Sequence, residues 1–314
     1  MTLPQNFRGL RVTVVGLGIE GIDLVRYLAA EGATVTVSDA RSVSALEEQL
    51  ALIEGAGARL SLGEQGEGAL LDAELVFASQ GVPPEIPALR AARRAGIPVS
   101  SMAALFLERC AAPVAGITGS SGKSTTTALA SAMLEAAGVE HVVGGNIGGG
   151  LLGLLPQIGS ETRVLVELSH TQLASVETSP MLACVTNVTP NHLDRYSWSD
   201  YVALKRRIFD FQKLEDTVVL NLDDETCAGF AGDASGHVVH TSMGSEIPGD
   251  GTLLTPAESG VSSIVTRRED GRDHPVLTCD EIQLRGAHNV ANVLSAVAVA
   301  SRLGASDAAC AEAA

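Results

Sequence analysis

An apolar run ending at Ile117 meets Thr118-Gly-Ser-Ser-Gly-Lys-Ser-Thr-Thr126, and an alanine-rich stretch continues to about Ala137. This pattern predicts a buried strand, a tight turn and a helix that starts near Lys123. Few arrangements suit that order. The strand lies inside a sheet, the helix packs on its face, and the turn is left at the carboxyl edge of the strand. There the N–H groups of the turn and of the first helical turn point at one spot, which suits phosphate oxygens. Lys123 adds a positive charge, and the hydroxyl of Ser124 or Thr125 can ligate Mg2+. Gly119, Ser120, Ser121, Gly122, Lys123, Ser124 and Thr125 are therefore the expected ATP-binding residues. The widespread pattern G-x-x-x-x-G-K-[ST] would need glycine where Ile117 stands. The shorter form also fits an ordinary Gly/Ser turn that caps a helix.

The 314 residues exceed one typical core, so two domains are expected. Strand and helix patterns alternate: strands at 11–15, 34–38, 75–78 and 97–100, and helices at 19–30, 87–95 and 102–109. Such alternation predicts a parallel sheet. A second α/β part opens at 112–116, with further strands at 163–168, 182–186 and 217–221, short β segments over 237–284 and an apolar helix at 287–303. The boundary is placed near residue 105. The net charge of −16 leaves no basic footprint for nucleic acid, so a triphosphate must be held by local amides, a lysine and metal ions. No charge-free apolar stretch of about 18 residues predicts a membrane span, and no signal-peptide pattern opens the chain. Cys110, Cys184, Cys227, Cys279 and Cys310 are scattered and read as reduced cytosolic thiols without metal spacing.

Other motifs fall at strand ends. Gly16-Leu17-Gly18-Ile19-Glu-Gly21 follows the first strand, and Asp39, with Arg41 beside it, ends the second. This reads as a phosphate-binding turn plus an acid for a ribose hydroxyl, or as a tight turn that needs glycine for packing. Glu167 ends a strand, where a carboxylate suits a metal, or simply lies at the surface. His192, Asp194 and Arg195 follow another strand end and suit metal and phosphate work. Tyr201, Leu204 and Ile208 share a helix face, and by spacing alone Lys205 beside it reads as a solvated lysine. Asn289 and Asn292 open the last long helix, either as caps or as readers of a purine edge.

Taken in order, these segments resemble the Mur ligases, ATP-dependent amide-bond-forming enzymes of peptidoglycan synthesis. The resemblance rests on Gly16 to Gly21 with Asp39-Ala-Arg41, Ala78-Ser-Gln-Gly81-Val82, Ile117 to Thr126 and Gly144-Gly-Asn146-Ile-Gly148. It continues through Glu167-Leu-Ser-His-Thr-Gln-Leu173, Asn187-Val-Thr-Pro-Asn-His-Leu-Asp-Arg195 and His288-Asn289-Val-Ala-Asn292. It implies an α/β chain with a Rossmann-like N-terminal parallel-sheet domain over 1–105 and a P-loop α/β ATPase domain over 106–304. Residues 305–314 would begin a third domain that the chain lacks. Gly16, Leu17, Gly18, Ile19, Asp39, Arg41, Gly81 and Asn146 would bind a UDP-sugar substrate. Lys123 and the loop amides would hold ATP phosphates, and Asn289 and Asn292 the adenine. Ser124 or Thr125 with Glu167 would bind one Mg2+, and His192 with Lys205, carbamylated in the family, a second. Lys123, His192 and Lys205 would be the catalytic residues.

The implied ligands are ATP, UDP-N-acetylmuramoyl-L-alanine and D-glutamate, joined through an acyl phosphate by a cytoplasmic monomer. The missing domain predicts little activity from this chain alone. The alternatives are a non-catalytic nucleotide-binding module of the same descent and a ligase for another amino acid. The chain departs from the family pattern at Ser120-Ser121, in place of Thr-Asn, and at Gln80, in place of Pro. It also has His170-Thr171 in place of Ser-Phe and Asn191 in place of Asp.

Overall fold

The computed structural model describes residues 3–63, 67–146, 149–244, 246–256 and 260–314. The chain forms two compact units, the first comprising residues 1–109, 148–157 and 175–177, the second the remainder. In the first, strands β1 (Arg11–Val15), β2 (Thr34–Asp39), β3 (Arg59–Leu62), β4 (Leu75–Ala78) and β5 (Val99–Ser100) form a parallel sheet in the order β3-β2-β1-β4-β5. Helices α1 (Ile19–Ala30), α2 (Glu47–Ala51), α3 (Glu67–Leu71), α4 (Pro87–Arg94) and α5 (Met102–Arg109) lie between or after the strands. Val12, Val14, Val15, Val37, Val76 and Phe77 are buried, as expected of parallel strands covered on both faces. The strand order reverses direction between β1 and β4, so the loops after β1, β2 and β4 gather at one carboxyl edge. Residues 149–157 also belong to this unit. Asp23 on α1 accepts N–H bonds from Leu152 at 2.7 Å and Gly153 at 3.0 Å.

The second unit holds β6 (Val114–Thr118), α6 (Lys123–Ala136), β7 (His141–Gly145), β8 (Arg163–Glu167), α7 (His170–Leu173), β9 (Leu182–Val185), α8 (Trp198–Arg206), β10 (Thr217–Asn221) and α9 (Glu225–Gly229). It continues with β11 (His237–Ser242), β12 (Gly251–Thr255), β13 (Ser263–Arg267), β14 (Asp273–Thr278), α10 (Ala287–Arg302) and α11 (Asp307–Ala313). Its nine described strands run in the order β14-β13-β12-β11-β10-β9-β6-β8-β7, with the β12–β13 and β13–β14 pairs antiparallel and the other pairs parallel. Ile117, Leu129, Met133, Val293 and Val297 are buried in one core cluster, where the many alanines of α6 and α10 allow close packing. Residues 305–314, given above to the start of a further domain, contribute α11, whose Cys310 joins this core together with Ala314. Ile117 stands opposite both Glu167 and Cys184, and Gly145 opposite Glu167. The ends of β7, β8, β6 and β9 are thereby level at one edge. Both sheets have the α/β architecture expected from the sequence. Among the described residues no helix is long and apolar enough to cross a membrane.

Candidate active site

The turn between β6 and α6 is held by the strand ends beside it. Gly122, the N-cap of α6, has φ +81°, and a Cβ there would collide with Asn292 Oδ1. Both facts call for glycine. Asn187, after β9, accepts from the Ser121 N–H at 2.9 Å and donates to Ser121 O at 3.0 Å. Thr186 Oγ1 donates to the same carbonyl at 2.7 Å. Ser120 Oγ lies 3.0 Å from Tyr201 Oη and 2.9 Å from the Thr189 N–H, from which it accepts. Lys123 folds back over the turn, its Nζ donating to Gly119 O at 3.0 Å and Ser120 O at 3.4 Å. Burial pulls its pKa below the ordinary lysine value, and the Glu167 carboxylate opposes that shift.

Glu167 is fully buried at the end of β8. Ser124 Oγ donates to its Oε2 at 2.7 Å and Asn146 Nδ2 to its Oε1 at 2.8 Å. Among the described residues no lysine, arginine or histidine forms a salt bridge with it. A buried carboxylate held by neutral donors alone is costly. With the Ser124 hydroxyl it forms the hard oxygen set that Mg2+ prefers, so the residues present fit that ion.

Lys205 is 1% exposed, contrary to the solvated position that its spacing predicts. Its stem runs inward from α8, and Nζ donates to Gly119 O at 2.8 Å and Thr118 Oγ1 at 3.2 Å, 5.5 Å from the centre of the Tyr201 ring. Burial, helped by the charge of Lys123, lowers its pKa to about 7. His192 is exposed and has φ +54°, the one positive φ outside glycine among the described residues. Such backbone costs of order 1–3 kcal/mol and is typical of functional positions. Its ring stacks on His170, with centroids 4.4 Å apart. Burial, then the positive charges of Lys205 and His192, push His170 down to about 4.

A cavity of about 410 Å3 adjoins the phosphate turn, lined by Ser121, Gly122, Thr125, Asn187, Asn289 and Asn292 among others. Asn292 Nδ2 donates to Asn289 Oδ1 at 3.1 Å, so the two asparagines form one polar wall.

Residues 117–300 match the Mur ligase middle domain, and residues 10–101 match the N-terminal domain of MurD-like Mur ligases. The chain belongs to the Mur ligase family. It is 43% identical over 296 residues to the UDP-N-acetylmuramoylalanine–D-glutamate ligase of Symbiobacterium thermophilum, a match that covers 94% of this chain and 64% of that protein. The equally named protein of Koribacter versatilis is 37% identical over 297 residues, with the same coverage. The chain thus spans 64% of the length of these curated relatives. Among solved structures, its fold is similar to that of the UDP-N-acetylmuramate:L-alanyl-gamma-D-glutamyl-meso-diaminopimelate ligase of Neisseria meningitides. That likeness has a TM-score of 0.64 and 19% identity, and covers 97% of each chain.

In this Mur ligase chain the first unit has its own cavity of about 470 Å3, lined by Gly16, Gly18, Ile19, Asp39, Arg41 and Gly81 among others. Leu17 is buried beneath it, and its N–H donates to Asp39 Oδ2 at 2.8 Å. Arg41 grips the same carboxylate, with Nη2 2.7 Å from Oδ2 and Nε 3.0 Å from Oδ1. Burial alone would raise the pKa of Asp39, but the bonds from Arg41 and Leu17 outweigh it and hold the carboxyl below its ordinary value. A Cβ on Gly21 would strike Gly16 O, so the third glycine of the turn is required for close packing.

Residues 119–125, Glu167, Asn146, Asn289, Asn292 and Lys205 thus lie in the second unit: Lys123 and Lys205 both donate to Gly119 O, Ser124 and Asn146 to Glu167, and Asn292 lies against Gly122 and bonds Asn289. Ile147 and Gly148 of the quoted glycine-rich motif lie outside the described residues. Three residues of this site were given no role there from the sequence: Thr186, Asn187 and Tyr201; His170 lies beside the metal position, where its departure from the family pattern places it. Tyr201 reads as core from its spacing and is indeed 1% exposed, yet its hydroxyl reaches Ser120. The polar pair Thr186-Asn187 directly after an apolar strand is the signal that could have marked the other contacts.

Proposed function

We propose that this chain comprises the uridine-nucleotide-binding and ATP-binding parts of an ATP-dependent ligase that joins D-glutamate to UDP-N-acetylmuramoyl-L-alanine. The loop after β1, with Asp39 and Arg41, binds the uridine nucleotide. The β6–α6 amides and Lys123 hold the ATP phosphates, and the cavity walled by Asn289 and Asn292 takes the adenine. Asn146 and His192 lie near the muramoyl-alanine carboxylate. A carboxylate oxygen forms a bond to the γ-phosphorus while the β–γ bridging bond breaks, releasing ADP and leaving an acyl phosphate. The amine of D-glutamate then attacks the acyl carbon, loses a proton and expels phosphate. Such chemistry rests on in-line positioning and charge neutralisation.

Ser124 and Glu167 would hold one Mg2+, and His192 with Lys205 a second. The ions would neutralise charge developing on the transferred phosphoryl group. Lys205 contributes through its amine, which with a pKa lowered to about 7 is neutral in about half of the molecules near pH 7 and so open to carbamylation by dissolved CO2. The nitrogen bonds to the carbon of CO2 and a proton leaves, turning a cation into a carboxylate-like ligand.

The observation that carries this reading is the buried Glu167 bridging Ser124 of the phosphate turn and Asn146, with Lys205 donating to the same turn. The names of the curated relatives support the substrates. Calorimetric titration of the chain with ATP and Mg2+, beside Lys123→Ala, tests it. The variant loses at least about tenfold in affinity, roughly 1.4 kcal/mol. Equal binding by both proteins would overturn the reading.

A further inference from the structure

We propose that His170 is a second imidazole ligand at the His192 metal position, so that this site prefers a borderline transition-metal dication such as Co2+ or Zn2+ to Mg2+. The inference rests on the metal reading of His192 given above. His170 opens α7 directly after Ser169, whose capping box with Gln172 fixes the start of that helix. The His170 ring stacks on His192 at 4.4 Å with a 30° tilt. Tyr196 meets it edge-on at 5.4 Å and Tyr201 lies tilted at 5.7 Å, so the ring is held in place before any ion arrives. Among the described residues, neither histidine uses a ring nitrogen in a hydrogen bond. The two imidazoles therefore stand side by side, with centroids 4.4 Å apart and ring nitrogens that make no hydrogen bond among the described residues. One imidazole among oxygen donors tolerates a hard ion, whereas two shift the site toward borderline ions, for which imidazole is a preferred donor. The family pattern that the chain resembles has serine, which offers no ring nitrogen, where His170 stands.

The test is binding, not turnover. The chain, in bicarbonate buffer without nucleotide, is titrated with Co2+ and separately with Mg2+ by calorimetry, with the visible absorption of Co2+ recorded. All proteins carry His237→Ala, because His237, Asp250 and Glu269 offer ligand atoms within 4.8 Å of one another and would take up Co2+ as well. His170→Phe keeps a stacked ring but removes the nitrogens, and His170→Ser removes both. Both variants weaken Co2+ binding about tenfold or more and change its visible spectrum, while Mg2+ affinity is unchanged. Unchanged Co2+ affinity and spectrum in His170→Phe would overturn the inference. So would a loss confined to His170→Ser, which would mark a packing role. His192→Ala separates the two levels. If it abolishes Co2+ binding and His170→Phe does not, only the role of His170 fails. If it changes nothing, the metal reading of His192 fails as well.

Discussion

Buried to 1% exposure, Lys205 exchanges water for two oxygen acceptors, Thr118 Oγ1 and Gly119 O, and both are neutral. The amine titrates near 10.5 when unfolded and at about 7 when folded. Below pH 7 both states are charged, and the cost of burying an ammonium group lowers stability in full. Between pH 7 and 10.5 the unfolded chain binds more protons, so stability rises with pH, and above that range both states are neutral and the cost is gone. The shift corresponds to roughly 5 kcal/mol. Lys205→Met keeps the volume and removes the charge. Its stability relative to the unmodified chain is therefore greatest at about pH 6 and declines toward about pH 9, as read from urea melts in CO2-free buffer. The two lost hydrogen bonds shift both values alike, so a difference independent of pH would defeat the argument. Adding bicarbonate at about pH 8 should stabilise the unmodified chain more than the variant, which lacks the buried Lys205 amine.

The turn from β6 into α6 shows the same dependence on neighbours at the level of elements. Its conformation needs a positive φ at Gly122, and its space is bounded by Asn292 on α10, an element far away in sequence. Gly122→Ala should cost roughly 1–3 kcal/mol in urea unfolding and weaken ATP binding as Asn292 is displaced. Unfolding identical to that of the unmodified chain would show that the turn accommodates a side chain. Elements whose own residues decide them were legible. β1, α1, α5 and β10 lie on their expected residues because runs such as Arg11–Val15 and Thr217–Asn221 are apolar strands between clear breaks. β3 was not legible, because an edge strand with Arg59 and Leu60 exposed carries no apolar run. Nor was β7, where His141-Val-Val-Gly-Gly145 is half-buried and glycine-rich. In the site, residues whose own type suits phosphate or metal chemistry, such as Lys123 and Glu167, could be named from sequence. Thr186, Asn187 and Tyr201 act through contacts set by the strand order, which places β9 beside β6. The burial of Lys205 likewise depends on what packs over α8, and helical spacing does not record that.

At the scale of the whole molecule, a net charge of −16 repels nucleotides at long range, so affinity must come from donors concentrated at each site. Those donors fall into two sets, each inside its own compact unit: Gly16 to Ile19, Arg41 and Gly81 in the first, the β6 turn with Asn289 and Asn292 in the second. A ligand that binds only the folded form of its site stabilises that site by about 2.7 kcal/mol at a hundredfold excess over Kd, and slows amide exchange in the segments it orders. Hydrogen exchange on the chain should therefore give two separable footprints. UDP slows exchange over residues 16–21, 39–41 and 79–83 and leaves the β6 turn unchanged. ATP with Mg2+ slows it over 119–125, 186–187 and 288–292 and leaves the first unit's loops unchanged. In Lys123→Ala the second footprint fades while the first persists, because Lys123 belongs to the second unit and the first cavity is lined by residues of the first. A footprint of UDP on the β6 turn, or of ATP on residues 16–21, would mean that the two nucleotides are not divided between the units as the cavities suggest.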